Sequence, residues 1–566
     1  MAGRWERIFV PVGCALVALA QWWTIWRIPG ATGFGDWQMI QHNWEAAYIA
    51  LSRFGEWPLW DPFHCGGISI FRNPESQLYS PFFPLSFVVG TVWAIKLMLW
   101  AHVAFGLWGA YRLARDAYAL PVPASAVCAC IWACSGCIVW DGTGGHATFL
   151  PFTFTPWLIW LMRTPRPTQQ TAAGVALLCV VALYEGGTYP LPFFVLLLAF
   201  ELVLRVLAER TLRPALGLGA TIALLTALAG MLRILPSALA LREFPRQVPN
   251  NDAVTLGEVL TMLTARMHAW RWPGHPFVWA EYGSYVGWLA LLLAAAGAVR
   301  VAWRGPRHLL AGLVLFSAFM LGNHGPYAPW SLLHYLPVYD SLRVPTRFAM
   351  FVTLYLALLA GHGLGLLGTL AQRLHWPRVG LCAMSLVAAL QLGDMLVVSQ
   401  PIIDRWYGPP LEAAAPTTRF HLVSGSYGKR YASYPRLNLG TPSCYNGAMN
   451  WRVSKALWVG DEEQVRVQSG EGSVSNVRHG TGRWQVDVQL TTPGRLWFNQ
   501  NVAAGWRSDT GELLADQDLL ALDLPAGRHR VLLRYLPQEW LPCALLGVIG
   551  WVLIAILGVR GSARRR

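Results

Sequence analysis

The chain has 566 residues, of which 54% are hydrophobic and only 13% charged, about half the charged share of an ordinary soluble domain. That excludes a soluble enzyme carried on a single anchor, because apolar stretches of about 20 residues, enough to cross a bilayer as helix, recur along the whole chain. The net charge of +14 does not point to nucleic acid, since the arginines fall in short loops and at the termini, where they mark the cytoplasmic side of a membrane protein.

An apolar run from Ile8 to about Trp26 opens the chain. It reads as a first span, the rival being a signal peptide cleaved near Ala18 to Ala20. A long polar loop, 29–84, follows. Spans are then expected at about 85–111, 122–140, 147–162, 171–187, 188–207 and 213–236. The short loops between them alternate: those with Arg112 and Arg115, with Arg163 and Arg166, and with Arg205, Arg210 and Arg213 are basic, while 141–146 and 184–189 lack Lys and Arg. The basic loops belong inside, so the first loop belongs outside.

A second outer loop at 237–283 leads to spans at 284–302 and 308–322, and a third at 323–347 to spans at 348–370 and 379–398. Residues 400–537 are more polar and alternate as strands do in RWQVDVQL. They read as an extracytoplasmic, mostly β domain, followed by a last span near 540–559 and a basic tail within 538–566. The fold class is therefore an α-helical polytopic membrane protein of about twelve spans, residues 1–399 forming the main membrane domain and both termini cytoplasmic.

Ten cysteines suggest a disulfide or metal set until they are placed. Eight lie in or beside apolar spans, where a thiol acts as a small hydrophobe. CACIWACSGC has a CxxC but no histidine or acid partner in its span. Cys65 and Cys444 face the oxidising exterior, and a disulfide between them would tie the first loop to the β domain.

The informative polar residues gather on the outer side, which favours surface chemistry over a path through the membrane. Outer arginines run against the charge bias, and lipid phosphate is their natural partner. Asp36, in GFGDW just after the first span, is the candidate general base; its alternative role is to cap a helix starting at Trp37. Glu185, in YEGGTYP, is the second candidate acid, and Asp61 before Pro62 reads as a turn residue. His146 and His64 either contact substrate or are satisfied interfacial histidines. Arg343 and Arg347, flanking the proline of RVPTRF, either clamp a phosphate or snorkel to the headgroups. P-loop, dinucleotide, HExxH and GxSxG patterns are absent.

Several segments resemble the YfhO family of bacterial membrane proteins. They are GD followed by GEWPLWDPFHCGGISIFRNPESQLYSPFFP in the first loop, then SGCIVWDGTGGHATFLPF, then SLRVPTRFAMF, and the outer β segment before the last helix. The likeness runs through nearly the whole chain in order. It implies a GT-C type glycosyltransferase in the bacterial cytoplasmic membrane, passing a sugar from a polyprenyl-phosphate donor to an envelope glycan or lipid acceptor on the outer face, with inversion. The acid of the first loop, Asp36 here, would be the base. Arg72, in GGISIFRN, stands where the family has apolar residues and adds a candidate substrate contact. With no DxD cluster in the loops, neither metal nor other cofactor is expected. The rival readings are a lipid-glycan flippase and a non-catalytic assembly protein.

Overall fold

The computed structural model describes residues 5–30, 32–33, 35–246, 248–266, 270–405, 410–425, 430–444 and 449–563; the terminal arginines of the basic tail lie outside these. Among the described residues six helices are long and apolar enough to span a bilayer, or seven if Arg213–Ala229 and Met231–Glu243, bent by 79°, count as one span. Thr168–Tyr184 and His308–Met320 are shorter apolar helices. Of the twelve spans the sequence suggests, six or seven are continuous apolar helices of spanning length among the described residues.

The difference has local causes. The first apolar run breaks at Trp22 into helices Glu6–Gln21 and Trp23–Arg27. The run expected at 147–162 begins as a 3₁₀ stretch, Ala147–Phe154, and becomes α-helical only at Thr155–Arg163. Pro151 and Pro156 lie across this transition, and each removes a backbone donor. The span expected at 122–140 turns extended at Ser135 and resumes as Gly136–Gly144, and the two parts together still count as one spanning helix.

Ala349–Arg373 is the central helix, largely buried. It crosses Trp288–Arg304 so closely that a Cβ on Gly297 would lie 1.8 Å from the Leu359 carbonyl oxygen, and one on Gly363 2.0 Å from that of Leu293. Small residues at the crossing are what let two backbones approach in lipid.

The first loop is no mere connector. It folds into the helix Trp37–Ser52, buried along most of its length, and a two-residue strand pair, Trp60–Asp61 with Ile68–Ser69. The C-terminal region closes over that helix. Arg436 makes a bidentate pair with buried Glu45 at 2.7 and 2.8 Å, and His42 bridges the Tyr431 carbonyl oxygen and Asp61, each at 3.0 Å. Asp61 also accepts from the Phe63 amide at 2.8 Å, so it holds the turn through Pro62.

Residues 465–535 form two four-stranded antiparallel sheets. Trp484, Val486 and Val488 of one share a core with Leu496, Phe498 and Leu520 of the other, the inner-face alternation that the sequence of 483–490 displays. This region follows a helix that runs on to Asp404, and leads into Trp540–Ala563.

Cys65 and Cys444 are disulfide-bonded, with Cα atoms 4.4 Å apart. Replacing Cys444 by Ser is expected to cost about 2–5 kcal/mol. The check is a lowered thermal midpoint of the full-length protein, alongside a non-reducing map that recovers the two cysteines in one peptide from the unaltered chain.

Candidate active site

The C-terminal end of Gly136–Gly144 and the start of Trp37–Ser52 meet through backbone. The Asp36 amide donates to the Gly144 carbonyl oxygen at 3.1 Å. Gly145, at φ +85°, permits this contact, since a Cβ there would fall 2.1 Å from the Trp37 nitrogen. The DGTGGH turn thus sets Asp36 beside His146. The His146 ring bonds Asp141 through Nδ1 at 3.0 Å and faces Asp36 Oδ2 with Nε2 at 3.8 Å. Asp36 occupies the N-cap position of its helix, yet its side chain makes no capping bond.

Arg347, in the first turn leading to the central helix, is held from several sides. It pairs bidentately with Glu281 at 3.0 and 2.6 Å. Its guanidinium also stacks over Tyr189 and Phe149, with ring centroids at 4.1 and 4.5 Å. Nη1 is buried and unpartnered. Arg343 gives its backbone amide to the Tyr189 hydroxyl at 3.1 Å, places its guanidinium over Phe277 at 5.5 Å, and leaves Nε buried without a partner. The backbone around Arg343 is strained, with Val338 and Val344 at φ +75° and +64°. Such angles are rare for β-branched residues and persist where surrounding structure enforces them.

Electrostatics joins these groups into one cluster. Burial pushes the Glu75 carboxyl up, the Asp36 charge adds to this, and Arg246, His146 and Arg343 oppose it, leaving it at about 7. Its Oε2 is buried without a hydrogen bond. Burial works against a charge on His146, but the Asp141 bond and the negative charges of Glu281, Asp141 and Asp36 outweigh it and hold the imidazole at about 9. Burial likewise raises Glu281, and Arg347 with His146 and Arg343 overcomes it to bring the carboxyl below its usual range.

These shifts give stability a definite pH dependence. Glu75, raised from 4.5, favours the fold most below pH 4.5 and loses that contribution as pH rises through 7. His146, raised from 6.5, contributes fully below pH 6.5 and loses its part as pH passes 9. Glu75→Gln should therefore flatten the stability profile between pH 4.5 and 7, measured as thermal midpoint against pH, and leave the decline toward pH 9 in place.

The structure thus brings Asp36, His146, Arg343 and Arg347 together, and adds Glu75, Asp141 and Glu281. The sequence shows those three acids in outer loops but not whom they face. The other three candidates have partners elsewhere. Glu185 is fully buried, with Oε2 2.9 Å from His102 Nε2, Oε1 accepting from Ser80 and its backbone oxygen from Gln77. His64 lies under the C-terminal region, 3.1 Å from the Tyr431 hydroxyl. Arg72 binds Glu539 at 2.7 Å and Glu243 at 3.5 Å, where the first loop meets the last helix. His64, Cys65 and Cys444 have metal-ligand spacing, but both sulfurs are committed to the disulfide.

Polar groups are not confined to the side carrying the β sheets. At the other end of the helices, Arg163 pairs with Glu201, buried within Pro190–Glu209, at 2.9 Å. The sequence reading missed this pair.

A small slot lies next to the cluster, lined by Trp22, Ile25, Trp37, Leu99 and Ile403 together with Thr32 and Lys96, and reaching Gly142 and Thr143.

No family model and no curated protein matches the chain. Among solved structures it is similar to mycobacterial arabinofuranosyltransferase AftD. In one form of AftD the TM-score is 0.50 at 17% identity, covering 80% of this chain and 34% of that one. In another it is 0.46 at 19%, covering 72% and 27%. The archaeal oligosaccharyltransferase AglB from Archaeoglobus fulgidus, determined with an inhibitory peptide and a dolichol-phosphate, gives 0.45 at 10% identity over 78% of this chain and 65% of that one. The chain therefore spans about a third of the AftD length at most. The likeness at TM-score 0.50 is one of fold, a body of apolar helices with a C-terminal β region.

Proposed function

We propose that the protein is a membrane glycosyltransferase. It moves a sugar from a polyprenyl-phosphate donor to an envelope glycan or lipid acceptor on the outer face of the bacterial cytoplasmic membrane, both termini lying inside. The observation that carries this reading is one cluster in which His146 faces the Asp36 carboxylate and, through Glu281, meets Arg343 and Arg347, two arginines that each keep a buried N–H without a partner among the described residues. The resemblance to the YfhO family and the GT-C fold support it.

In this scheme Asp36 accepts the proton of the attacking acceptor hydroxyl. His146, tied to Asp141, sets the position of that carboxylate. The oxygen attacks the anomeric carbon as the bond to the lipid phosphate breaks, so the sugar inverts and the electron pair leaves on the phosphate. Arg343 Nε and Arg347 Nη1 stabilise the charge developing there, and these fixed cations do the work without a metal. Purified protein offered radiolabelled polyprenyl-phosphate sugars, with chelator present, should form labelled product. If no such donor is consumed while a labelled lipid-glycan crosses proteoliposome membranes, the protein is a transporter instead.

A further inference from the structure

Three neighbouring strands of one β sheet, Arg483–Leu490, Gly527–Tyr535 and Trp506–Ser508, set Arg483, Arg534 and Arg507 side by side. Arg534 is in register with Arg483 on one flank and with Arg507 on the other. Residues directly opposite share a face of the sheet, and all three arginines are exposed. Like charges placed so are destabilising. None of the three has an ion pair or side-chain hydrogen bond to another described residue. The nearby Glu56 carboxylate, whose charge Arg483 favours, is itself committed to the Thr481 hydroxyl at 3.1 Å and the Gly482 amide at 2.8 Å. Asp509, the second acid on this cleft, accepts from the Leu532 amide at 2.9 Å and the Thr510 hydroxyl at 2.8 Å, so three cations in a row face two acids that already have other partners.

The surroundings say what completes the row. The three arginines line one cleft together with Trp57 and Leu536, whose side chains stand 50% and 42% exposed. Leu536 lies four residues before the membrane helix that begins at Trp540, so the cleft is within about 15 Å of chain from the bilayer edge. Guanidinium groups beside an exposed indole and an aliphatic side chain, at the entrance of a membrane helix, match the headgroup layer: phosphate for the cations, acyl boundary for the apolar pair.

We infer that Arg483, Arg534 and Arg507 hold the phosphate of an anionic lipid headgroup in the leaflet beneath the β sheets, fastening this domain to the membrane surface. The site shares no residue with the Asp36 cluster and does not rest on the transferase reading.

The test uses full-length protein in nanodiscs of phosphatidylcholine alone, of phosphatidylcholine with phosphatidylglycerol, or of phosphatidylcholine with polyprenyl phosphate. Two readouts apply, thermal midpoint and lipid retained in native mass spectrometry. Phosphatidylglycerol should raise the midpoint of the unaltered protein, and salt should erase the gain. Each arginine replaced by Gln should weaken retention about fivefold. Arg534→Gln should also melt higher than the unaltered protein in phosphatidylcholine alone, because the middle like charge is gone, while responding less to phosphatidylglycerol. A structural role for Arg534 would lower the midpoint in every lipid. Equal responses to phosphatidylglycerol in variant and unaltered protein would overturn the inference, as would a gain from polyprenyl phosphate alone.

Discussion

Asp36→Asn should lower sugar transfer by about 10²–10⁴-fold and leave the thermal midpoint close to that of the unaltered protein. The two readouts separate because the Asp36 side chain contributes no capping bond to Trp37–Ser52, while its backbone amide, which the substitution keeps, makes the contact to Gly144. Asn preserves shape and removes the proton acceptor. Transfer assays on purified variant and unaltered protein, with melting curves alongside, decide the matter. Activity within tenfold of normal would move the base elsewhere in the cluster, and Glu75, with its unpartnered Oε2, would be the next acid to examine.

Arg347→Met should be costly in both readouts. It strands Glu281, which is 8% exposed and bonded to both ends of the guanidinium fork. Breaking a buried pair from one side costs about 3–5 kcal/mol, because the remaining charge has no compensation. It also removes the stack on Tyr189 and Phe149. The double variant Glu281→Gln with Arg347→Gln should recover much of the midpoint, both charges having gone. Transfer should stay low in that variant, since Nη1 is then missing as a phosphate donor. A double variant with normal transfer would show that the arginine only supports the fold.

The sequence made some of this legible and hid the rest for identifiable reasons. Asp36, His146, Arg343 and Arg347 stood out because charged residues kept on the outer side need a reason to be there, and the structure gathers them. Glu281 and Asp141 sit in outer loops as well, but their importance lies in whom they face. Glu281 is 66 residues from Arg347, and loop sequence carries no record of such pairing. The partner of Glu185, His102, was hidden because it lies inside an apolar helix where sequence reading expects no ion pair. Glu201 was overlooked for the same reason. Apolar runs that read as single spans contain helix breaks at Trp22 and Ser135 and across Pro151. A hydropathy window averages over such breaks, whereas backbone geometry does not. The strand alternation of 483–490, by contrast, carried through because its period is local.

The helix Trp37–Ser52 is sealed by partners found nearly four hundred positions downstream. Tyr431 and Arg436 contact His42 and Glu45 at separations of 389 and 391 residues. During synthesis this stretch is therefore made long before anything exists to cover it, and such distant pairing is slow to find. A product stopped short of residue 431 would leave Glu45 and His42 without these partners in a half-built floor next to Asp36. The C-terminal region cannot be trimmed away as an optional module: it is the roof under which the first loop acquires its shape.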